Sequence, residues 1–198
     1  RGVEIVSLST GVHNHYALSS GGGGDRQRGE DIGLRMIELA VEMDVSIIQI
    51  VPGVTSPDVP YDTAYDRAQD SLSRLGAEAS RAGVTIGIEN VTNQFLPSPL
   101  EFVRFLDEIN SPSVQAYFDN GNAMVTGHPE HFVRLLGRRI VAMHLKDYRR
   151  SARDFVSILE GDMNWPAVMA LLRDIPYKGY AMATPPYPYD HCPELAVE

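Results

Sequence analysis

Three side chains have the types and placement to do chemistry together: Glu89, Asp119 and His144. Each lies at or near the end of a short apolar run, Val84–Ile88, Val114–Phe118 and Ile140–Leu145 respectively. Two carboxylates and an imidazole supply oxygen and nitrogen donors, which suit Mn²⁺, Mg²⁺, Co²⁺ or Zn²⁺ better than soft metals. A carboxylate carried to the end of an apolar strand is costly to bury unless it is paired or bound to a cation. The bland alternative is an ordinary hydrogen bond or ion pair at the rim for each residue. Three such residues on consecutive strands favour the metal.

Other polar residues carry less. Arg150, six residues after His144, could reach a substrate hydroxyl or carboxylate, or simply be a solvated loop arginine. His13 and His15 follow the first apolar run and are expected at the rim, with His13 taken as a substrate-contact candidate. His128-Pro129-Glu130-His131 lacks the four-residue spacing that puts two zinc-binding histidines on one helix face, so both are read as surface groups. Cys192 sits in a Pro- and Tyr-rich tail with no partner pattern for a nucleophile. Gly21–Gly24 has neither a P-loop lysine nor dinucleotide-binding spacing, and is expected to be a flexible surface loop. Trp165 reads as a packing residue.

The elements that must position these groups alternate regularly. Apolar runs at Val3–Leu8, Val45–Val51, Val84–Ile88, Val114–Phe118, Ile140–Leu145 and Gly179–Ala183 read as strands. Between them, Asp31–Met43, Tyr65–Ala82, Leu100–Ile109, Pro129–Leu136 and Trp165–Arg173 carry apolar residues at helical spacing. Near-continuous runs such as Ser46–Val51 suggest strands buried on both faces of a parallel sheet. Ser98-Pro99 and His128-Pro129 mark helix starts, and Asn164 is placed to cap the helix at Trp165. The class is therefore α/β, either an open doubly wound sheet or a (β/α)8 barrel. In both, functional groups gather at the C-terminal ends of the strands.

Composition narrows the function. A chain of 198 residues with 43% hydrophobic and 22% charged residues is an ordinary globular composition, and the whole of it, 1–198, reads as a single domain. The net charge of −9 argues against a nucleic-acid partner. No apolar run reaches the length of a membrane span, and the single cysteine excludes an internal disulfide framework, so a cytoplasmic location is expected. Asn90-Val91-Thr92 matches a glycosylation sequon without any sign of secretion. Because the first residue is Arg rather than Met, the chain is expected to be a fragment.

The segments Gly87-Ile88-Glu89-Asn90-Val91, Tyr117-Phe118-Asp119-Asn120-Gly121-Asn122-Ala123 and Met143-His144-Leu145-Lys146-Asp147-Tyr148-Arg149-Arg150 together resemble the sugar phosphate isomerase/epimerase family. That family belongs to the xylose isomerase-like TIM barrel superfamily, with ketose 3-epimerases, hydroxypyruvate isomerase and inosose dehydratase among its members. The resemblance implies a (β/α)8 barrel, here with about six βα units and the first two missing. It implies a divalent ion, manganese first, on Glu89, Asp119 and His144, with Glu89 also the catalytic base and a small sugar or polyol as substrate. Arg150 matches a substrate-contacting arginine. Asn122 stands where several epimerases have a histidine, and it can hydrogen-bond but not titrate.

One departure is sharp. The family's fourth ligand and second catalytic carboxylate comes from the last strand, where this chain has Thr184. Two-base epimerisation should suffer more from that loss than a one-base isomerisation. A different reading is a degenerate, non-catalytic barrel remnant that binds a sugar or a protein partner. Its two open sheet edges would also favour self-association into a homo-oligomer.

Overall fold

The computed structural model describes residues 2–184. The elements run β1 (Leu8–Ser9), α1 (Gly23–Glu42), β2 (Ile47–Ile50), α2 (Tyr61–Ala82), β3 (Thr85–Glu89), α3 (Pro99–Ile109), β4 (Val114–Asp119), α4 (Asn120–Thr126), α5 (Pro129–Leu136) and β5 (Ile140–Leu145). A hairpin of β6 (Asp147–Arg149) and β7 (Asp154–Val156) follows, then α6 (Trp165–Asp174) and β8 (Tyr180–Ala183). Six strands form one parallel sheet in the order β1-β2-β3-β4-β5-β8, each beside the next βα unit, as in the wall of a barrel. Among the described residues no pairing joins β8 to β1. The sheet is nonetheless strongly curled. Ser7, just before β1, places its hydroxyl 3.1 Å from the Tyr117 hydroxyl on β4, and Tyr180 on β8 donates to Glu4 at 3.2 Å.

The pairing register separates two faces. Gln49 lies opposite Gly87, Glu89 opposite Tyr117, and Asp119 opposite His144. Paired residues in a parallel ladder share a face and successive residues alternate, so Gln49, Glu89, Tyr117, Asp119 and His144 all point to the inside of the curl. The other parity, Ile48, Ile50, Ile86, Ile88, Ala116, Phe118 and Met143, faces the helices and is fully buried. Phe118 stacks on Phe132 of α5, with ring centroids 5.8 Å apart. This two-faced burial explains the near-continuous apolar runs. The inner polar parity supplies the chemistry.

One irregularity decides whether His144 takes part. Ala116 pairs with Ile140, but Tyr117 pairs with Ala142, so β5 carries one extra residue there. Without that bulge, Met143 would stand opposite Asp119 and His144 would turn toward the helices, because a one-residue slip swaps the faces. The bulge puts the imidazole inside.

Helix signals behave as the sequence suggests at three starts. Ser98 accepts from the Glu101 amide ahead of Pro99, Pro129 opens α5, and Asn164 accepts from the Ala167 amide ahead of α6. Gly83, in the left-handed region at φ 71°, ends α2.

Three expectations need correction. The Val3–Leu8 run is not a buried strand. Only Leu8–Ser9 pairs, and Val3 and Ile5 are 87% and 52% exposed because no described strand covers that edge. Gly23 and Gly24 are not loop residues but form the first turn of α1, which begins eight residues before the expected Asp31. Strand and helix starts with little periodic apolar content give no signal at either place. The hairpin β6–β7 and the short α4 are additional elements. Cys192 lies outside the described residues.

Candidate metal centre

Strand β3 ends on Glu89 and β4 on Asp119, and His144 sits one residue before the end of β5. The three present donor atoms that all lie within 4.8 Å of one another. His144 Nδ1 is 2.8 Å from Glu89 Oε1 and 3.7 Å from Asp119 Oδ2, and the Tyr117 ring backs the imidazole at 4.7 Å between centroids. Both carboxylates are buried.

Backbone and amide contacts fix each member. Asp119 both closes β4 and caps α4, its Oδ1 accepting the Asn122 amide at 2.8 Å. The Asn90 side chain extends the ladder past the end of β3. It donates to the Asp119 carbonyl and accepts the Asp119 amide, both at 2.9 Å. Asn122 in turn donates its side-chain amide to the Asn90 carbonyl at 3.0 Å. Gln49 donates to Glu89 Oε2 at 2.5 Å. Lys146, anchored by its backbone amide to Asn120, lies on Asp119 Oδ2 with an N–O separation of 2.7 Å. Gly121 leaves the room for Lys146 to cross α4, since a Cβ there would run into the lysine side chain.

The donor set fits a divalent ion on one structural observation in particular. Asp119 Oδ2 is buried and, among the described residues, accepts no well-aligned hydrogen bond, although Lys146 is its ion-pair partner at 2.7 Å. A buried carboxylate oxygen in this state is costly, and a cation relieves the cost.

The electrostatics agree. Burial raises the Glu89 pKa, and the Asp119 charge adds to the rise while His144 opposes it. Burial acts to raise Asp119 as well, but His144 and Lys146 outweigh it and hold that carboxyl below its usual range. Burial acts to lower His144, yet Asp119 and Glu89 lift it to about 9. Because the folded value lies above the unfolded 6.5, protonated His144 contributes stability that is complete below pH 6.5 and lost as pH rises through about 9. The metal-free chain is therefore expected to lose stability to urea between pH 6.5 and 9, and an H144N variant to lose less over that window. A flat wild-type profile would contradict the pairing.

The other candidates separate. Asn122 is at the centre, as a bridge between two strand ends. Arg150 is exposed and donates to the carbonyls of Met124 and Gly127 at 2.9 and 2.7 Å, closing the end of α4 rather than reaching the triad. His13 corrects the expectation of a rim residue. It is wholly buried, with Nε2 3.1 Å from the Gly29 carbonyl of α1, and burial lowers its pKa. A side chain without solvent access cannot meet a ligand in this conformation. Gln49 and Lys146 are members of the site that the sequence reading misses. A lone glutamine inside Ile47-Ile48-Gln49-Ile50 is the available sign of the first.

Residues 1–196 match the family model for the xylose isomerase-like TIM barrel. The chain belongs to that family. Its sheet is six strands of the xylose isomerase-like barrel, with the triad at their C-terminal ends. The L-ribulose-5-phosphate 3-epimerase UlaE of Salmonella paratyphi C (strain RKS4594) is 27% identical over 183 residues, covering 90% of this chain and 63% of the relative. Among solved structures, a D-tagatose 3-epimerase-like protein superposes with a TM-score of 0.77 at 25% identity, over 84% of this chain and 66% of the other. An L-ribulose 3-epimerase gives 0.80 at 19% identity, over 91% and 61%. The chain thus spans just under two thirds of the length of these relatives. No helix among the described residues is long and apolar enough to cross a membrane.

Proposed function

We propose that this chain carries the metal-binding region of an isomerase or epimerase acting on a small ketose or ketose phosphate. The observation that supports it best is the convergence of Glu89, Asp119 and His144 within 4.8 Å in a family that includes sugar epimerases. These three would hold a divalent ion, Mn²⁺ first, with Mg²⁺, Co²⁺ or Zn²⁺ as alternatives. When bound, the ion supplies Lewis-acid stabilisation of negative charge on substrate oxygens.

The chain's own residues account for the proton. Glu89 is the base that removes a proton from the carbon beside the carbonyl, to give an enediolate. In the metal-free chain burial raises its pKa, which favours the proton-accepting role of a carboxylate. Asn122 and Asn90 keep the ends of β3 and β4 locked together, so that Glu89 and Asp119 hold a fixed separation. Arg150 supports the site through α4, and any contact it makes with substrate oxygens requires it to leave the Met124 and Gly127 carbonyls.

Thr184 directs the expected reaction. The register His144 opposite Met182 places Thr184, two residues on, on the inner face, and its hydroxyl is buried with no hydrogen-bond partner among the described residues. With no carboxylate there, proton removal and return fall to one face of the substrate. The protein with Mn²⁺ and a panel of ketoses and ketose phosphates in D₂O is expected to exchange the proton beside the carbonyl, with little inversion. Thr184→Glu is expected to tighten Mn²⁺ binding by about tenfold, ~1.4 kcal/mol, and to raise inversion relative to exchange. The second reading, a non-catalytic remnant, rests on the same Thr184. Tight Mn²⁺ binding with no exchange on any sugar would select it.

A further inference from the structure

We infer that Gln49 is a positioning residue of the metal centre, and that it sets which oxygen of Glu89 faces the ion. The inference rests on the metal-binding reading of the triad.

Gln49 is the one polar residue of β2 and is buried. Its partner across the ladder is Gly87, which has no side chain to fill the space above it. A Cβ at position 87 would press on Tyr117, so the inner face there is already occupied from the β4 side. The glutamine side chain therefore extends along the sheet to the next inner residue of β3, which is Glu89. Neighbours offset by two positions on adjacent strands lie within reach of a long side chain. Nε2 meets Glu89 Oε2 at 2.5 Å, and the other oxygen, Oε1, is left 2.8 Å from His144 Nδ1.

Asp119 shows the same division of labour. Its Oδ1 is held by the Asn122 amide, and its Oδ2 accepts no well-aligned hydrogen bond among the described residues. Each carboxylate thus has one oxygen fixed by a neutral amide donor, while the other lies toward the imidazole, at 2.8 Å for Glu89 Oε1 and 3.7 Å for Asp119 Oδ2, which also has Lys146 Nζ at 2.7 Å. A neutral donor orients the group without adding to the charge of the site, as partners behind metal ligands do elsewhere. The consequence is that both carboxylates bind through a single oxygen, leaving coordination positions open for a substrate's vicinal oxygens.

The test uses Co²⁺ as both ligand and spectroscopic probe, titrated into the metal-free chain. Gln49→Met keeps the volume and removes the donor; Gln49→Asn keeps the amide and withdraws it by one methylene. Both are expected to weaken Co²⁺ binding by about tenfold to a hundredfold and to alter the visible absorption of the bound ion, because a freed Glu89 can turn both oxygens to it. Circular dichroism of each variant reports whether the fold is retained, and one folded variant suffices. A folded variant that binds Co²⁺ within about twofold of wild type, with a superimposable spectrum, overturns the role of Gln49 and leaves the centre standing. A wild-type chain that binds no Co²⁺ overturns the centre and this role together.

Discussion

Glu89→Gln is expected to weaken Mn²⁺ binding at least about a hundredfold and to abolish proton transfer, while leaving the metal-free fold as stable as wild type. The two halves of that result have different causes. An amide oxygen carries no formal charge, so the centre would lose one of its two anionic ligands and its only base. The fold, by contrast, loses little. The Glu89 carboxylate is buried, and burial is the largest influence on it, so in the metal-free chain the cost of desolvating its charge offsets what its pairing with His144 contributes. The amide that replaces it keeps the shape. Its carbonyl can accept from Gln49, as Oε2 does now, and its NH₂ can donate to a neutral His144 ring. Calorimetric Mn²⁺ titration alongside thermal unfolding of the metal-free variant would separate the two effects. Unchanged Mn²⁺ affinity would remove Glu89 from the centre and sink the proposed mechanism.

That coupling of charge and burial also governs what is legible in the sequence. Glu89, Asp119 and His144 stand out because a charged or titratable residue closing an apolar run is costly and therefore informative. The strands are legible for the same reason, since both parities of β2, β3 and β4 are removed from water. His144 is legible only as a type. Nothing in Ile140-Val141-Ala142-Met143-His144 announces the extra residue that turns the imidazole inward, because a bulge depends on the register with β4. Gln49 escapes notice because a single amide in an apolar strand leaves the run intact. Its meaning depends on Gly87 across the ladder. The short α4 gives no helical periodicity in Asn120-Gly121-Asn122, and forms because Asp119 caps it. His13 misleads in the other direction. A histidine after a first strand looks like a rim residue, but α1 begins early enough for its Gly29 carbonyl to cover it.

Asp147→Ala should produce the converse of the Glu89 variant, a large loss of stability in a chain whose three proposed metal ligands are untouched. Asp147 has no solvent exposure and satisfies four donors. Oδ1 accepts the Tyr148 and Met163 amides at 2.8 and 3.1 Å, and Oδ2 accepts the Leu159 amide at 3.1 Å and the Trp165 indole N–H at 2.9 Å. One carboxylate thereby gathers the start of β6, the return from β7 and the first residue of α6. Gly161 is the residue that lets the chain pass so close, because any Cβ there would collide with that carboxylate. Alanine would strand up to four donors, and each buried unsatisfied group costs about 1–3 kcal/mol. Water entering the vacated space offsets part of this, so a loss of about 3–5 kcal/mol in urea unfolding is expected. Trp165 is the sole tryptophan, so its emission reports the lost indole bond directly. A red shift at zero urea would show the hairpin loosening before global unfolding. Loss of the hairpin also frees Arg150, whose backbone amide is held by Asp162 and whose guanidinium closes α4. Mn²⁺ affinity should fall by no more than a few-fold, because the cap on α4 that positions Asp119 comes from Asp119 itself. A variant with wild-type stability and unshifted emission would mean that the hairpin and α6 are held by packing rather than by this carboxylate. Collapse of Mn²⁺ binding in a folded variant would mean instead that the excursion after β5 is part of the metal centre.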